Sequence, residues 1–502
     1  MAFPRACEEA AHRGAVFLEK KLADGSLSTS LGLGPCYKMP YAFGMTGRHC
    51  AGNRMLDEVV AAFSTAPGVF TPEPAPGDPA SWGLLMRQYK AAVVLIGAAQ
   101  LGRWDVCSPE ALDHLKTQMI PIAEDAAGIG CRDEYLAVTA SSMVGLLMCH
   151  RGELEAVKRL ANFLVRVYEL QPRHGTHFFR VYDTARKCLV TEAAVEGGGE
   201  GGPPPVAALA WLKGRKVLYS VDASKERQHN YAPGIAAAFL SEAYVCTRDR
   251  RYLATARALI QFDRVCSWAG AFRRWPSKCK AAWGAANLAR ALAVAAAGGG
   301  CDSPLRLARM RRSDSSEEFA AGGRDEGPPA KKAKTESQDT ARSISHDSNS
   351  RHDFGDGDPT PAREAHGAVA AHCRAVAEHC FLANQAADGG FGPYHFPLKD
   401  ESVDNLPAGT CHWTSQPPPS AASLAEGPRH FGAVGGGGGG AAPVAPQHRL
   451  PAPAAPPLSR DGGGVPADSF AFGTELELTA EFVYELVIVA KGLLSAPIAP
   501  AT

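Results

Sequence analysis

The densest run of polar and aromatic residues in this 502-residue chain is Gln228-His229-Asn230-Tyr231, at the start of an apolar, alanine-rich stretch. A histidine exchanges a proton near neutral pH, so His229 is the first candidate for a general acid or base. Tyr231 would be its neighbouring donor, and Gln228 and Asn230 would contact a substrate. A helix cap followed by a structural histidine accounts for the same run equally well.

Aromatic and ionisable residues also stand at the starts of the other apolar stretches. These residues are Tyr37, Lys38 and Tyr41; Trp82 and Tyr89; Asp133 and Glu134; Trp275, Lys278 and Trp283; and Glu475. Pockets form where elements converge around a concavity, so we expect these side chains to line one mouth and to bind a small-molecule substrate. The competing interpretation is that the aromatic rings fill the centre of the fold as ordinary core.

Lys38, Asp133 and Glu134 are the members of this set that could take part in catalysis. Lys38 would stabilise a carboxylate or a developing enolate, with Lys278 and Lys280 as alternatives. A solvated lysine with a packed stem fits each of these positions as well. Asp133 and Glu134 are adjacent and cannot face the same point on a helix, so at most one of them would point inward.

A repeated helical framework would position these residues. Residues 17–25 and 381–389 share Phe, Leu, Ala, Asp and Gly at identical spacing. Each copy closes a helical stretch and ends in an Asp-Gly turn, which is typical of an array or a closed ring of hairpins. Glycine or basic residues, which suit helix ends, stop other helices at Thr46-Gly47-Arg48, Leu101-Gly102-Arg103, Arg151-Gly152 and Thr247-Arg248-Asp249.

Apolar periodicity predicts two alternating sets of helices. Helices that are apolar on most sides, and therefore inside, are predicted at 36–46, 83–101, 134–149, 231–246, 279–297 and 474–494. Helices with a single apolar stripe, and therefore outside, are predicted at 4–22, 49–64, 109–120, 153–170, 250–266 and 366–386. This pattern predicts an all-α fold, an (α/α)6 six-hairpin toroid, with an open solenoid of helix pairs as the alternative.

The remaining segments divide the chain around this framework. We expect hairpins one to five in 1–297, a polar disordered insert in 298–364, the sixth outer helix and a loop in 365–413, a Pro/Gly/Ala-rich flexible loop in 414–467 and the last inner helix in 468–502. Alternating residues at 177–182 and 216–221 predict a small β-ribbon within 174–229, over one barrel mouth.

The stretch Gln385-Ala386-Ala387-Asp388-Gly389-Gly390-Phe391 resembles the degenerate repeats of the terpenoid cyclase and protein prenyltransferase toroid superfamily. The resemblance implies the six-hairpin fold over the chain outside its inserts. It does not imply an activity, because the acidic Asp-x-Asp-Asp motif of the cyclases and the zinc-ligand pattern of the prenyltransferases are missing. Unsaturated-glucuronide hydrolases and sugar 2-epimerases resemble the same hairpin layout.

Composition limits the partners and the compartment. The chain has 52 basic and 52 acidic residues, so no net field favours nucleic acid or an anionic membrane. We predict no membrane span and no signal peptide, and the scattered cysteines suit a reducing cytoplasm. The run Lys331-Lys332-Ala333-Lys334 resembles a nuclear import signal. The pairs His372-Cys373 and His379-Cys380 are about 10 Å apart on a helix, too far for one metal ion.

The sequence contains no P-loop, no dinucleotide fingerprint, no HExxH and no GxSxG motif, so we expect no redox cofactor and no metal. The leading hypothesis is a cytosolic enzyme of isomerase, cyclase or lyase type that uses acid–base chemistry on a small organic metabolite. One alternative is a carbohydrate-processing enzyme, a glycosidase or a sugar epimerase, with Asp133 or Glu134 opposite Glu475 or Glu477. The other is a non-catalytic binding or scaffold protein.

Overall fold

The computed structural model describes residues 2–71, 81–132, 134–197, 206–214, 216–224, 231–266, 279–297, 360–391 and 467–494. The α-helices are α1 (Ala2–Ala23), α2 (Leu33–Cys36), α3 (Met39–Met45), α4 (His49–Phe63), α5 (Ser81–Gln100), α6 (Pro109–Thr117), α7 (Val138–Arg151), α8 (Leu154–Glu169), α9 (Glu192–Glu196), α10 (Tyr231–Thr247), α11 (Arg250–Val265), α12 (Cys279–Ala296), α13 (Thr360–Cys380) and α14 (Ala467–Leu494). The strands are β1 (Ser64–Ala66), β2 (Val69–Phe70), β3 (Met119–Ala123), β4 (Ala126–Arg132), β5 (Tyr135–Ala137), β6 (His177–Phe179), β7 (Val181–Asp183), β8 (Cys188–Leu189) and β9 (Ser220–Asp222).

The helices divide into a core set and a flanking set. We call α3, α5, α7, α10, α12 and α14 the core helices, because their described side chains are buried on most sides; α7 is buried at every residue from Val138 to Cys149. The flanking helices α1, α4, α6, α8, α11 and α13 bury one stripe, which in α8 includes Val157, Leu160 and Leu164. The predicted alternation of the two helix types is therefore confirmed.

Each core helix packs against other core helices. The contacts join α3 to α5, α5 to α7, α7 to α10, α10 to α12, α12 to α14, and α14 to α3. The flanking helices α4, α8, α11, α13 and α1 pack against α3, α7, α10, α12 and α14, respectively. The structure is mostly helical with small antiparallel sheets, which confirms the predicted fold class in this coarse form.

The predicted helix stops are present where the chain turns from a core to a flanking helix. Gly47, Gly102 and Gly152 have φ angles of 73°, 75° and 74°, a left-handed conformation that a glycine adopts without strain. At Gly47, for example, the N–H of Arg48 donates to the carbonyl of Phe43 at 2.9 Å, which satisfies an unpaired carbonyl of the helix end. Arg248 occupies the same place after α10, with φ of 64°.

The two copies of the repeated phrase form the same turn but pack differently. The side chains of Asp24 and Asp388 accept hydrogen bonds from the N–H groups two residues later, at 2.8 and 3.0 Å. Gly25 and Gly389 have φ angles of 78° and 98°. A side chain on Gly25 would meet open space, whereas a Cβ atom on Gly389 would lie 2.4 Å from the backbone oxygen of Arg13. The second copy is therefore wedged against α1.

The sheet is larger than the predicted ribbon. Strands pair in the order β3-β4-β5-β7-β8, and β6 pairs separately with β9. Register pairs in the second pairing include Phe178 with Val221. The predicted strand at 177–182 is present as β6 and β7, but the predicted strand at 216–221 begins only at Ser220. Val69–Phe70 and Ser64–Ala66 form a further hairpin that the sequence interpretation missed.

The sequence predictions were wrong between 118 and 137. A helix was expected to 120 and the next from 134, but α6 ends at Thr117 and α7 begins at Val138, with β3, β4 and β5 between them. Pro121 lacks the N–H group that a continuing helix would need. Gly128 in β4 lets the ring of Phe163 approach, since a Cβ atom there would lie 3.0 Å from it. This long-range packing selected strands over helix.

Smaller differences concern the helix ends. The helix expected at 36–46 is split into α2 and α3 around Tyr37 and Lys38, α13 spans Thr360–Cys380 instead of 366–386, and α14 begins at Ala467 instead of 474. The insert was predicted at 298–364, but residues 360–364 belong to α13. Residues 298–359 of that insert, and residues 414–466 of the flexible loop predicted at 414–467, lie outside the described residues.

Candidate functional site

Four charged side chains meet in the interior of the protein. Lys38, Lys280, Glu481 and Glu485 are 4%, 2%, 7% and 0% exposed, respectively. We call these four residues the charge cluster. Ionised groups are seldom buried to this degree unless they are paired, since each loses its hydration on folding.

Three elements position the charge cluster. Lys38 precedes the first residue of α3, and Lys280 is the second residue of α12. Glu481 and Glu485 lie four residues apart on α14, so both carboxylates project from one face of that helix. Because α14 packs against both α3 and α12, its carboxylates lie between the two lysines.

The two glutamates are bound unequally. Glu481 accepts from both lysines, with Oε2 at 2.6 Å from Lys38 Nζ and Oε1 at 2.5 Å from Lys280 Nζ. Lys280 Nζ also donates to Glu485 Oε1 at 2.5 Å and to the hydroxyl of Tyr484 at 2.6 Å, so its three donors are used. Glu485 Oε2 has no hydrogen-bond partner among the described residues, although it is buried.

Aromatic rings surround the charge cluster. Tyr41 and Tyr484 stack with their ring centroids 4.5 Å apart, and Lys280 Nζ lies 4.7 Å from the ring centroid of Trp283. Lys38 Nζ lies 5.1 Å from the centroid of Tyr37, which meets Tyr89 edge-on. Ring faces attract cations, so these aromatic residues stabilise the two ammonium groups.

Burial and neighbouring charges separate the two carboxyl groups. Burial alone would raise the pKa of Glu481, but Lys280 and Lys38 outweigh it and lower that pKa to about 2. Burial raises the pKa of Glu485 to about 7; the single contact with Lys280 and the nearby Cys279 thiol oppose this, and the charge of Glu481 adds to it.

Lys280, Cys279 and Tyr484 keep their usual protonation near neutral pH. Burial disfavours the charged form of Lys280, but the two glutamates outweigh burial and raise the pKa of Lys280 well above its usual value. Burial raises the pKa of Cys279 and of Tyr484, so both keep their protons near neutral pH. The arrangement thus combines an ionised carboxylate, a carboxyl group that titrates near neutrality and two ammonium groups, which suits proton transfer.

A metal ion does not fit this site. One sulfur of Cys279 and one oxygen each of Glu481 and Glu485 lie within 4.8 Å of one another, a donor set that zinc accepts. Lys280 Nζ, however, already contacts an oxygen of both glutamates, and its ammonium group would have to be expelled. Burial also raises the pKa of the Cys279 thiol, so a zinc ion would have to displace that proton as well.

The histidine–cysteine pairs of α13, which were not expected to bind a metal ion, have other partners where they are described. His372 Nε2 lies 3.0 Å from Asp263 Oδ2, and the Cys373 thiol donates to the carbonyl of Ala282 at 3.4 Å. The side chains of His379 and Cys380 lie outside the described part of the structure. Both described residues of the pair therefore serve to fasten α13 to its neighbours.

The structure brings part of the predicted site together. Lys38 belongs to the charge cluster, and the predicted substrate contacts Tyr37, Tyr41, Tyr89 and Trp283 are the buried rings around it. Tyr231 begins α10 and lies 5.1 Å from the guanidinium of Arg180, beside a cavity of about 10 Å³. Glu134 was expected on an inner helix but lies exposed in the turn before β5.

The other predicted site residues lie outside the described part of the structure. Gln228, His229, Asn230, Asp133, Trp275 and Lys278 are not described, and neither are the side chains of Trp82, Glu475 and Glu477. The acidic pair expected for a carbohydrate-processing enzyme therefore has one described member, Glu134, and that member is exposed.

Sequence reasoning missed Glu481, Tyr484 and Glu485. A signal was present, because two glutamates four residues apart interrupt the apolar run of α14. A charged residue inside a helix that is apolar on all sides must be buried and therefore paired. Lys280 was named only as an alternative to Lys38, together with Lys278.

No protein-family model, no curated protein and no solved structure matches this chain. Among the described residues, no helix combines the length and the apolar character that crossing a membrane requires.

Proposed function

We propose that this protein is an enzyme that acts on a small organic metabolite by acid–base chemistry, with the charge cluster as its catalytic centre. The observation that carries the proposal is that two buried glutamates have different partners: Glu481 contacts Lys38 and Lys280, whereas Glu485 contacts, of these two lysines, Lys280 alone. The carboxyl pKa values separate as they do in active sites where one group remains ionised and the other exchanges a proton.

Stability alone is a poor reason to keep such a cluster. The desolvation of each buried charge costs several kcal/mol, and well-packed apolar residues in place of a buried ion pair are often neutral or stabilising. Glu485 Oε2, to which no described residue donates a hydrogen bond, adds a further cost that a structural network would avoid. Perturbed carboxyl groups of this kind concentrate at functional sites.

The proposed framework is the six-hairpin toroid. The packing of α14 against both α12 and α3 supports a closed ring of core helices, since an open array would leave its first and last members apart. In that arrangement Lys38 and Lys280 lie at the amino-terminal ends of core helices, next to the connections that carry most of the predicted substrate contacts.

Each residue of the cluster would have its own role. Glu485 exchanges the proton, because its pKa of about 7 lets it act as acid or base near neutral pH. Lys280 stabilises negative charge that develops on the substrate, such as an enolate, through its own charge, because its three donors already contact Glu481, Glu485 and Tyr484. Tyr484 donates a hydrogen bond beside it. Glu481 holds both lysines in place. The reaction class is isomerisation, cyclisation or elimination, and His229 remains a second candidate for the proton carrier.

A comparison of variants in metabolite extracts tests the proposal. Purified protein is incubated with a cell extract, and substrate loss and product gain are followed by mass spectrometry. We expect the wild type to convert at least one metabolite and Glu485→Gln to abolish the conversion. The control Glu242→Gln removes the carboxylate that pairs with Arg290, also on core helices, and should keep the activity. The proposal fails if the wild type changes no metabolite or if Glu485→Gln remains active.

A non-catalytic binding or scaffold protein is the second candidate. It is favoured by the size of two cavities that the described residues line, about 170 and 10 Å³, which is below the roughly 300–1,000 Å³ of ordinary ligand pockets. In that case the aromatic rings around the charge cluster are core. A wild type that is inactive on every extract but retains a protein partner through purification would favour this candidate.

A further inference from the structure

A second site lies on the outside of the helical core, between α8, α11 and β6. The cavity there has a volume of about 170 Å³. Its described lining consists of Tyr168, Gln171, His174, Gly175, His177, Phe178, Ala258, Leu259, Gln261, Phe262 and Val265. None of these residues belongs to the charge cluster, so ligand binding in this cavity does not depend on the proposed activity.

The walls of this cavity are mostly aromatic and aliphatic. Phe178 and Phe262 approach with their ring centroids 6.0 Å apart, and Tyr168 forms one side. Val265 is 49% exposed, which is high for a large apolar residue beside a cavity. A ligand that covered this side chain would remove apolar surface from water, and that is favourable.

The polar side chains that line the cavity differ in whether protein groups already use their hydrogen-bonding atoms. Gln171 is used by the backbone, since Nε2 donates to the Phe179 carbonyl and Oε1 accepts from the Phe179 N–H, both at 2.8 Å. His177 is held between Thr176 and Asp222, with Nε2 3.6 Å from the Asp222 carboxylate. His174 is exposed and packs edge-on against Tyr168 at 4.9 Å, and no hydrogen bond joins its ring nitrogens to a described residue.

We propose that this cavity binds a monocyclic aromatic compound that carries a hydroxyl group, with the ring between Tyr168, Phe178 and Phe262 and the hydroxyl on His174. The volume of about 170 Å³ suits a ligand with a single ring, because an apolar cavity of about 150 Å³ accommodates benzene. Rings prefer offset or edge-on packing against other rings, which the walls offer. The imidazole of His174 supplies a hydrogen-bonding group that no described residue engages, and a hydroxyl can either donate to it or accept from it.

Titration of the full chain with phenol, followed by NMR, tests this site. We expect saturable shifts in the signals of residues that line the cavity, with a dissociation constant on the order of 1 mM for a ligand of this size. Toluene has the same shape without the hydroxyl and should bind about fivefold more weakly, the value of one hydrogen bond. Replacement His174→Ala should abolish the preference for phenol over toluene, because both ligands lose the imidazole wall but only phenol loses a hydrogen bond.

Matched variants of α11 locate the ligand. Ala258→Leu places a larger side chain in the cavity and should weaken phenol at least about tenfold, because the space is lost. Ala254→Leu makes the same change one turn earlier on an exposed position of the same helix and should leave binding unchanged. Phenol binding that is equal in the two variants, that ignores His174→Ala, or that does not saturate overturns the proposal. If Ala258→Leu fails to fold, the His174→Ala titration decides alone.

Discussion

The two ends of the helical hairpins are built differently. Four turns lead from a core helix to the next flanking helix. In each of them one residue takes the left-handed backbone conformation: Gly47, Gly102, Gly152 and Arg248. The connections from flanking to core helices are longer and unalike: they contain all of the described strands, and Lys38 and Lys280 follow two of them. Loops on a rigid scaffold are where binding and catalytic groups concentrate. The short turns thus repeat one local structure, whereas the connections vary, and the two lysines of the proposed catalytic centre stand just after two of them.

The largest effect should follow from removing the shared carboxylate of the charge cluster. Glu481→Gln leaves Lys38 and Lys280 without their common partner, and breaking a buried ion pair in this way costs about 3–5 kcal/mol. Urea unfolding measures the loss. The control Glu58→Gln breaks an exposed pair with Arg54 on α4 and should cost less than about 0.5 kcal/mol. Similar losses of unfolding free energy in the two variants would show that the charge cluster contributes no more to stability than an exposed ion pair.

The two copies of the repeated phrase, residues 17–25 and 381–389, allow two connections to be compared with each other. Gly389→Val should cost about 3–5 kcal/mol, since strain at a positive φ adds to the 2.4 Å contact of its Cβ atom with Arg13. Gly25→Val suffers only the strain, because nothing lies within 4 Å of its Cβ atom, and should cost about 1–2 kcal/mol. Thermal melts of both variants decide this. Equal costs would show that the second turn is not wedged against α1.

The pH dependence of stability should report the protonation of Glu485. Its folded-state pKa of about 7 lies above the ordinary value of 4.5, so the folded protein holds this proton more tightly than the unfolded chain. The contribution of this proton to the free energy of unfolding is complete below pH 4.5 and is lost as the pH rises to about 7. The free energy falls by roughly 1.4 kcal/mol per pH unit, or about 3 kcal/mol over the whole range.

Glu481 acts in the opposite sense, because its lowered pKa stabilises the fold above about pH 4.5 and that stability is lost as the pH falls toward 2. The difference in unfolding free energy between the wild type and Glu485→Gln, measured from pH 4.5 to 8, isolates the Glu485 contribution. A difference that stays constant over this range would contradict a raised pKa.

The smallest effect should appear in the short turns. Arg248 has φ of 64° where Gly47, Gly102 and Gly152 stand in the equivalent turns, so Arg248→Gly relieves a strained conformation. We expect a gain of about 0.5–1 kcal/mol, partly offset by the loss of the contact with Tyr244 at 5.9 Å. The reverse change Gly152→Arg should cost about 1 kcal/mol. Differential scanning calorimetry measures both, and opposite signs are the expected result.

Local residues were sufficient to predict the helical framework. The apolar periodicity of α8 and the all-round apolar character of α10 predict a flanking and a core helix within one or two residues of their observed ends. The glycines after α3, α5 and α7 predict where those helices stop. Such predictions succeed because side-chain spacing and backbone conformation act over a few residues, so a short window of sequence contains the physical cause.

The strands and the charge cluster were decided by tertiary structure. Tyr135–Ala137 becomes a strand because it pairs with Val181–Asp183, whose residues lie far along the chain. The partners of Glu481 and Glu485 are equally remote: Lys38 is 443 residues from Glu481, and Lys280 is 205 from Glu485. The spacing of the two glutamates predicts that they share a helix face, but only the packing of α14 between α3 and α12 supplies the ammonium groups. Burial then separates the two carboxyl pKa values, because desolvation and the number of contacting lysines are properties of the folded chain.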